Sequence, residues 1–420
     1  MYQKTTLDNG LRILTASMPH TRSVSICIFI GAGSRYETDA EAGTSHFIEH
    51  LLFKGTTKRP TSLDISQAIE GIGGIFNGGT DKELTIYWCK VPQSHFNTAA
   101  EVMADMVLHS TFDPAEIEKE RQVIIEEINM SHDHPAMLVD ILIDELLWPK
   151  HPLGRDIAGS KESVAAITRN NMLDYLKSRY SPANIVISIA GNIQHEDAVA
   201  SINHSFGDFS ERSQPSPFLP YRQEIASRVR VEKKDTEQVH ICLALPGLSV
   251  LHPKRFILDL LSTILGESAS SRLFTEVRDN LGLTYSINSQ AEHFLDSGSF
   301  TIYAGVEPRN LTRAIEAILE QLVKVTKPLP QAEIHKSKEF LKGRLLLRME
   351  DSRSVAGWLG GQELLTRQIL SVEQVESIID AITAEELNEM AEELVVENEL
   401  RLALVGPVAN HESLQELLRL

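Results

Sequence analysis

At roughly 100–200 residues per domain, the 420 residues predict two to four domains, or two large ones. A hydrophobic fraction of 42% and a charged fraction of 23% are those of an ordinary globular protein. The formal net charge of −18 argues against nucleic acid as the main partner, because phosphate binding needs a basic face; it reads first as a solvated acidic surface and second as steering for cationic peptides.

In chain order, RILTA (12–16) and SVSICIFI (23–30) read as apolar strands. EAGTSHFIEHLLFKGT (41–56) reads as a helix, with Thr44 or Ser45 expected as its cap. GGIFNGGTDKELTIYWC (73–89) reads as a strand, a Gly-rich turn and a strand. DPAEIEKERQVIIEEINMS (113–131) is the clearest helix: Asp113 suits its N-cap, Pro114 its first position, and Ile117, Val123, Ile124 and Ile128 its apolar stripe. NIVISIAGNI (184–193) closes the first half with a strand.

The stretch 205–228 carries Pro215, Pro217 and Pro220 among polar residues and has no helical period, so it reads as a semi-rigid linker. RVRVEK (228–233) and QVHICLAL (238–245) are strands, FILDLLSTILGES (256–268) is an apolar helix, and ELRLALVGPV (399–408) is a strand. Cys27 aligns with Cys242 and Gly191 with Gly406 at the same separation of 215 residues, which points to a duplicated domain. The expected organisation is domain 1–208, linker 209–228 and domain 229–420. Helices and strands without strict alternation predict α+β layers, with helices packed on a largely antiparallel sheet.

Cys27, Cys89 and Cys242 form no CxxC, and an odd, sparse count argues against a disulfide framework. The opening residues lack the apolar stretch of a signal peptide, and no run approaches the ~18 apolar residues of a membrane span. A reducing, cytosolic compartment is expected.

The strongest chemical signal lies in the 41–56 segment. His46 and His50, four apart on a helix, present both imidazoles on one face to one metal ion. Glu49 lies beside them, placed to reach water at the metal without being a ligand; H-x-x-E-H is the inverted form of H-E-x-x-H. A tetrahedral site then lacks one protein ligand. Glu116, Glu118, Glu120, Glu126 and Glu127 on the later helix are candidates. Glu120 and Glu127, seven apart, share nearly one face. Glu127 would complete a His₂Glu set, and Glu120 would orient a ligand histidine. Surface or capping histidines are the bland alternative, but the apolar neighbours Phe47, Ile48, Leu51, Leu52 and Phe53 favour buried imidazoles that need partners.

GTSHFIEHLLFKGT, with Glu127 inside ERQVIIEEI 77 positions after His50, resembles the pitrilysin and mitochondrial-processing-peptidase family of zinc metallopeptidases. The E-x₆-E spacing of that family selects Glu127 over Glu126. SSRLFTEVRDNLGLTYSI (270–287) looks like the family segment with Arg and Tyr seven apart, here Arg278 and Tyr285. The resemblance runs from 7–13 to the C-terminus. It implies a short, processing-peptidase-like member: two homologous α+β domains in tandem, forming a clamshell, and chains that pair as homodimers or as heterodimers of one active and one inactive chain.

The resemblance further implies one Zn²⁺ per chain, held by His46, His50 and Glu127, although Co²⁺ or Mn²⁺ suits the same ligands. Glu49 is then the general base of an endopeptidase acting on extended, unfolded peptides or presequence-like segments. Arg278 and Tyr285 come from the second domain to meet substrate. Asn77 and Gly78 match a substrate-binding edge strand, with Gly78 departing from the Ala of the family pattern. At the repeat offset, His46, Glu49 and His50 fall on Leu261, Ile264 and Leu265, so the second domain is expected to hold no metal. A non-catalytic peptide-binding subunit of a heteromeric peptidase is the alternative. Two weaker clusters remain: His132 and His134, read as a solvated loop, and the Gly-rich 357–365 stretch, read as close helix packing.

Overall fold

The computed structural model describes residues 2–210, 217–224, 227–408 and 412–420. It divides into two compact units. Unit 1 comprises Met1–Ile128, Asp156–Leu219 and Leu346–Ser371; unit 2 comprises Asn129–Arg155, Pro220–Leu345 and Val372–Leu420.

In unit 1, β1 (Gln3–Thr6), β2 (Arg12–Ser17), β3 (Ser23–Ile30), β4 (Ile75–Thr80), β5 (Thr85–Pro92) and β6 (Ile185–Gly191) form one sheet in the order β1-β2-β6-β3-β5-β4. Its pairings are antiparallel except β2 with β6. In unit 2, β7 (Val229–Lys233), β8 (Val239–Pro246), β9 (Thr284–His293), β10 (Gly298–Val306) and β11 (Arg401–Gly406) follow the order β7-β11-β8-β10-β9. Here β7 and β11 are the parallel pair. The two sheets therefore share a five-strand topology, and the α+β reading of largely antiparallel sheets packed with helices holds. The paired glycines of the repeat end equivalent strands. Gly191 has φ 138° and Gly406 φ 151°, a region that L side chains avoid. A Cβ there would also press on the backbone of Val24 or Val239.

The central strands are largely apolar because both sheet faces are covered. Along β3, Val24, Ile26, Ile28 and Ile30 enter one core while Cys27 and Phe29 enter another. Along β8, Val239, Ile241, Leu243 and Leu245 enter one core and Cys242 and Ala244 another. The period of two in a strand divides each row between the two faces.

The second face of each sheet is covered from the other half of the sequence. Helix Pro135–Leu147 joins unit 2, burying Leu138, Val139, Leu142 and Ile143 with Cys242, Ala244, Ala403 and Val405. Helix Ser352–Leu365 joins unit 1, burying Ala356 and Leu359 with Leu14, Cys27, Phe29 and Val186. The sequence ranges 1–208 and 229–420 thus differ from the compact units by two exchanged segments. No local pattern marks the exchange, because an amphipathic helix carries no label for the sheet it covers. Polar contacts pin the Ser352–Leu365 helix. Glu363, 1% exposed, lies 3.1 Å from Arg12 and 2.7 Å from Lys4. At the other end Lys90 pairs with Asp351, and the Ser25 and Ser352 hydroxyls are 2.9 Å apart.

Within the linker stretch, Pro215 lies outside the described residues, and Phe218 lies 3.9 Å from the Arg35 guanidinium of unit 1. The handover between units falls at Leu219 and Pro220. Among the described residues no helix is long and apolar enough to cross a membrane.

The Gly-rich 357–365 stretch is close packing. A Cβ on Gly360 would collide with the Phe29 ring and with Ser188 Cβ, whereas Gly357 and Gly361 face open space. Gly360→Leu is therefore expected to destabilise the fold by about 1–3 kcal/mol through overpacking. Gly361→Ala is expected to be neutral or to stabilise by up to ~1 kcal/mol; thermal unfolding of the two variants against the parent checks the contrast.

Candidate metal centre

Helix Thr44–Leu52 buries Phe47, Ile48, Leu51 and Leu52 against the unit 1 core, which leaves His46, Glu49 and His50 on its half-buried side. Its N-terminus is not closed by Thr44 or Ser45, which lie inside the helix. The Glu37 carboxylate instead accepts the N–H groups of Gly43 (2.8 Å) and Ser45 (2.6 Å). An anion at this end satisfies orphan donors and suits the helix dipole. The Ser45 hydroxyl is thereby free to pair with Tyr175 Oη at 2.7 Å.

The 113–131 expectation is met by helix Pro114–Asp133, with Asp113 Oδ1 accepting the Ala115 N–H at 2.8 Å. This helix brings Glu120 and Glu127 to the histidines. The Nε2 atoms of His46 and His50 are 3.2 Å apart, and Glu127 Oε2 lies 3.7 Å from the first and 3.5 Å from the second. Two imidazoles bound tetrahedrally to one zinc at ~2.0–2.1 Å put their nitrogens about 3.3 Å apart. The donor set therefore fits a single ion. Ligand atoms of His46, Glu49 and His50 also lie within 4.8 Å of one another, and among the described residues no such group of three is found away from this site. Of the two carboxylates beside the imidazole pair, Glu127 approaches both nitrogens with one oxygen, while Glu49 is engaged by β4.

The electrostatics separate these groups. Burial, with His50 nearby, pushes His46 down to about 4, so its imidazole is neutral, the form that ligates. Its Nδ1 is buried without a hydrogen-bond partner among the described residues. For His50 burial acts downward, but the Glu120 hydrogen bond and the charges of Glu127 and Glu49 outweigh it and hold the pKa above its usual value. His50 Nδ1 lies 3.1 Å from Glu120 Oε2, and Lys54 Nζ holds the other Glu120 oxygen at 2.7 Å. Burial opposes the Glu120 charge, yet His50 and Lys54 keep its pKa below the ordinary value. Glu49 moves the other way: burial raises it, more than His50 and Thr80 lower it. One carboxylate is thus stabilised as an anion, and its neighbour is made more basic.

The Gly-rich turn expected in 73–89 is corrected by the structure. Gly78 and Gly79 lie within β4, opposite Tyr87 and Ile86, and the turn falls at Asp81–Leu84. β4 is an edge strand of the sheet. Asn77 is exposed, and its Oδ1 accepts the Gly78 N–H at 2.8 Å. Gly78 backs directly onto Glu49, and the Thr80 hydroxyl donates to Glu49 Oε2 at 3.4 Å.

Arg278 and Tyr285 belong to unit 2. Arg278 sits on a π-helical turn, Phe274–Asn280, with its guanidinium 4.4 Å from the Phe274 ring and 5.0 Å from the Tyr285 ring. Tyr285, near the start of β9, is 76% exposed. The repeat counterparts Leu261, Ile264 and Leu265 are buried in the core of helix Arg255–Leu265. His132 lies in the last turn of helix Pro114–Asp133 rather than in a loop; it and His134 are exposed, and among the described residues they join no metal-binding group.

Sequence reading passed over Lys54, Thr80 and Glu37. Lys54 lies beyond the end of helix Thr44–Leu52 and meets Glu120 on another helix, so no helical spacing marked it. Thr80 and Glu37 act across the fold, and no spacing connects them to the motif.

Residues 12–161 match the family model described as Insulinase (Peptidase family M16), and residues 166–341 match Peptidase M16 inactive domain. The chain is 36% identical over 414 residues to an uncharacterized zinc protease, YmxG, of Bacillus subtilis, covering 98% of this chain and 100% of the relative. It is also 36% identical over 425 residues to an uncharacterized zinc protease of Mycobacterium leprae, covering 99% and 94%. Among solved structures, a protease from Helicobacter pylori superposes with a TM-score of 0.91 at 23% identity, covering 97% of this chain and 99% of that one. With relatives of this identity along nearly its whole length, the chain belongs to the pitrilysin-like peptidase family M16, whose members here are named zinc proteases.

Proposed function

We propose that this chain is a zinc endopeptidase that hydrolyses extended, unfolded peptides, with His46, His50 and Glu127 as metal ligands and Glu49 as general base. The convergence of two imidazole nitrogens and the Glu127 oxygen, with Glu49 alongside, carries this reading. A zinc ion held there would act as a Lewis acid on the peptide carbonyl and make water acidic enough to lose a proton near neutral pH.

The chain's own residues do the rest. Glu49 accepts the proton of the attacking water and passes it to the leaving amine nitrogen; its raised basicity and its place beside the ligands suit both steps. Glu120, held by Lys54, accepts from His50 Nδ1–H and so keeps Nε2 free to ligate. The open edge of β4 offers backbone groups to an extended substrate strand, with Asn77 and Gly78 at the contact. On the family resemblance, Tyr285 is assigned a catalytic role, donating a hydrogen bond to the developing oxyanion or to nearby substrate backbone, with Arg278 supporting that contact. A single metal-bearing unit fits the match of the second stretch to a model described as inactive. Processing-type substrates, chain pairing and a reducing, cytosolic location with Cys27, Cys89 and Cys242 free belong to the same reading.

Metal analysis of the purified chain, alongside cleavage of a quenched unstructured peptide with and without chelator, tests it. About one zinc per chain and chelator-sensitive cleavage are expected; no zinc and no cleavage after metal is added back would favour the non-catalytic peptide-binding alternative. Glu49→Gln is expected to keep zinc and lose about 10²–10⁴-fold in turnover, while His50→Ala loses both. Tyr285→Phe is expected to lower the rate with zinc retained. Glu120→Gln is expected to weaken zinc affinity about 10–100-fold, read by competition with a chromophoric chelator.

A further inference from the structure

β4 does more than present an edge to substrate. Its residues alternate between the two faces, and Phe76, Gly78 and Thr80 form the row that meets helix Thr44–Leu52 and the Phe53 that ends it. Phe76 packs on Phe53 with ring centroids 5.5 Å apart. At Gly78, a Cβ would lie 2.7 Å from Glu49 Oε1, 3.1 Å from Glu49 Cγ and 3.0 Å from the Phe53 ring. Thr80 donates its hydroxyl proton to the other Glu49 oxygen at 3.4 Å. The whole inward row of one strand is spent on Glu49 and the ring beneath it.

We propose that Gly78 and Thr80 are positioning residues for Glu49: the missing Cβ leaves room for one carboxylate oxygen, the hydroxyl holds the second, and the strand that takes substrate backbone thereby sets the base. The proposal rests on the peptidase reading above.

Of the neighbours that a Cβ at 78 would meet, the Phe53 ring is the less free to give way. It is wedged between Phe76 and Tyr87, with centroids 5.5 and 6.1 Å away. The carboxylate is the end of a flexible side chain, so it is Glu49 that moves. Thr80 acts in the opposite sense. A carboxylate with one oxygen held has fewer orientations than a free one, and a displacement near 1 Å at a reacting group costs about 10²-fold in rate. Both residues lie on a paired strand, Gly78 opposite Tyr87 and Thr80 opposite Thr85. The position of the base is thus tied to the register of the edge strand.

The test uses the full chain loaded with zinc. Thr80→Val keeps the shape and removes the hydroxyl; Thr80→Ser keeps the hydroxyl; Gly78→Ala adds the Cβ. Thr80→Val and Gly78→Ala are each expected to lower kcat about tenfold or more, with KM, zinc content and thermal midpoint close to the parent, and Thr80→Ser is expected to restore most of the rate. The combined Gly78→Ala, Thr80→Val variant is expected to lose less than the product of the single losses, because both act through one carboxylate. Unchanged kcat in Thr80→Val and Gly78→Ala, with the parent active, would overturn the proposal. So would a loss confined to KM or to thermal stability. An inactive, zinc-free parent would instead overturn the peptidase reading.

Discussion

Everything in each unit depends on covering a sheet whose middle is apolar on both faces. β3 and β8 are mostly apolar on both faces, so a sheet with one bare face would expose a large hydrophobic patch. One face carries the helices that follow in sequence. The other is closed by a single helix from the opposite half of the chain. With both faces closed, the unit 1 sheet is the packed floor on which helix Thr44–Leu52 lies.

That floor accounts for the chemistry. The apolar side of the helix is consumed by the core, so His46, Glu49 and His50 share what remains, facing the Pro114–Asp133 helix and β4. His46, His50, Glu49, Glu120 and Glu127 are brought together at this site. The shifts of the first four differ because their partners differ: His46 has only burial and a neighbouring imidazole, His50 has carboxylates, Glu120 has His50 and a lysine, and at Glu49 burial outweighs His50 and a threonine hydroxyl. Under the proposed function, an arrangement that keeps one imidazole neutral, one carboxylate anionic and one carboxylate basic would divide metal binding, ligand orientation and proton transfer among separate side chains.

The duplication makes the same point by contrast. Unit 2 repeats the five-strand order and the glycine-ended strand, yet its corresponding helix puts Leu261, Ile264 and Leu265 into the core. The architecture alone therefore carries no candidate metal site; on the proposed reading, three side chains on one helix and a glutamate on another make it.

Much of this was legible in the sequence. Period-two and long apolar runs identified the central strands, the Asp113-Pro114 start identified the glutamate helix, and His46, Glu49 and His50 were grouped by helical spacing, all of them signals carried by neighbouring residues. The equal spacing of the cysteine and glycine pairs revealed the repeat. What the sequence left open involves residues far apart along the chain or indifferent to their partners. Gly78 and Gly79 read locally as a turn, but pairing with β5 makes them strand. Ser45 reads as a cap, but Glu37 reaches the helix end first. The exchange of the Pro135–Leu147 and Ser352–Leu365 helices, the contact of Lys54 with Glu120, and the packing of Gly78 and Thr80 against Glu49 follow from tertiary packing alone. Local sequence determines which face of an element is apolar and which residues it offers; only the folded chain decides what each face meets.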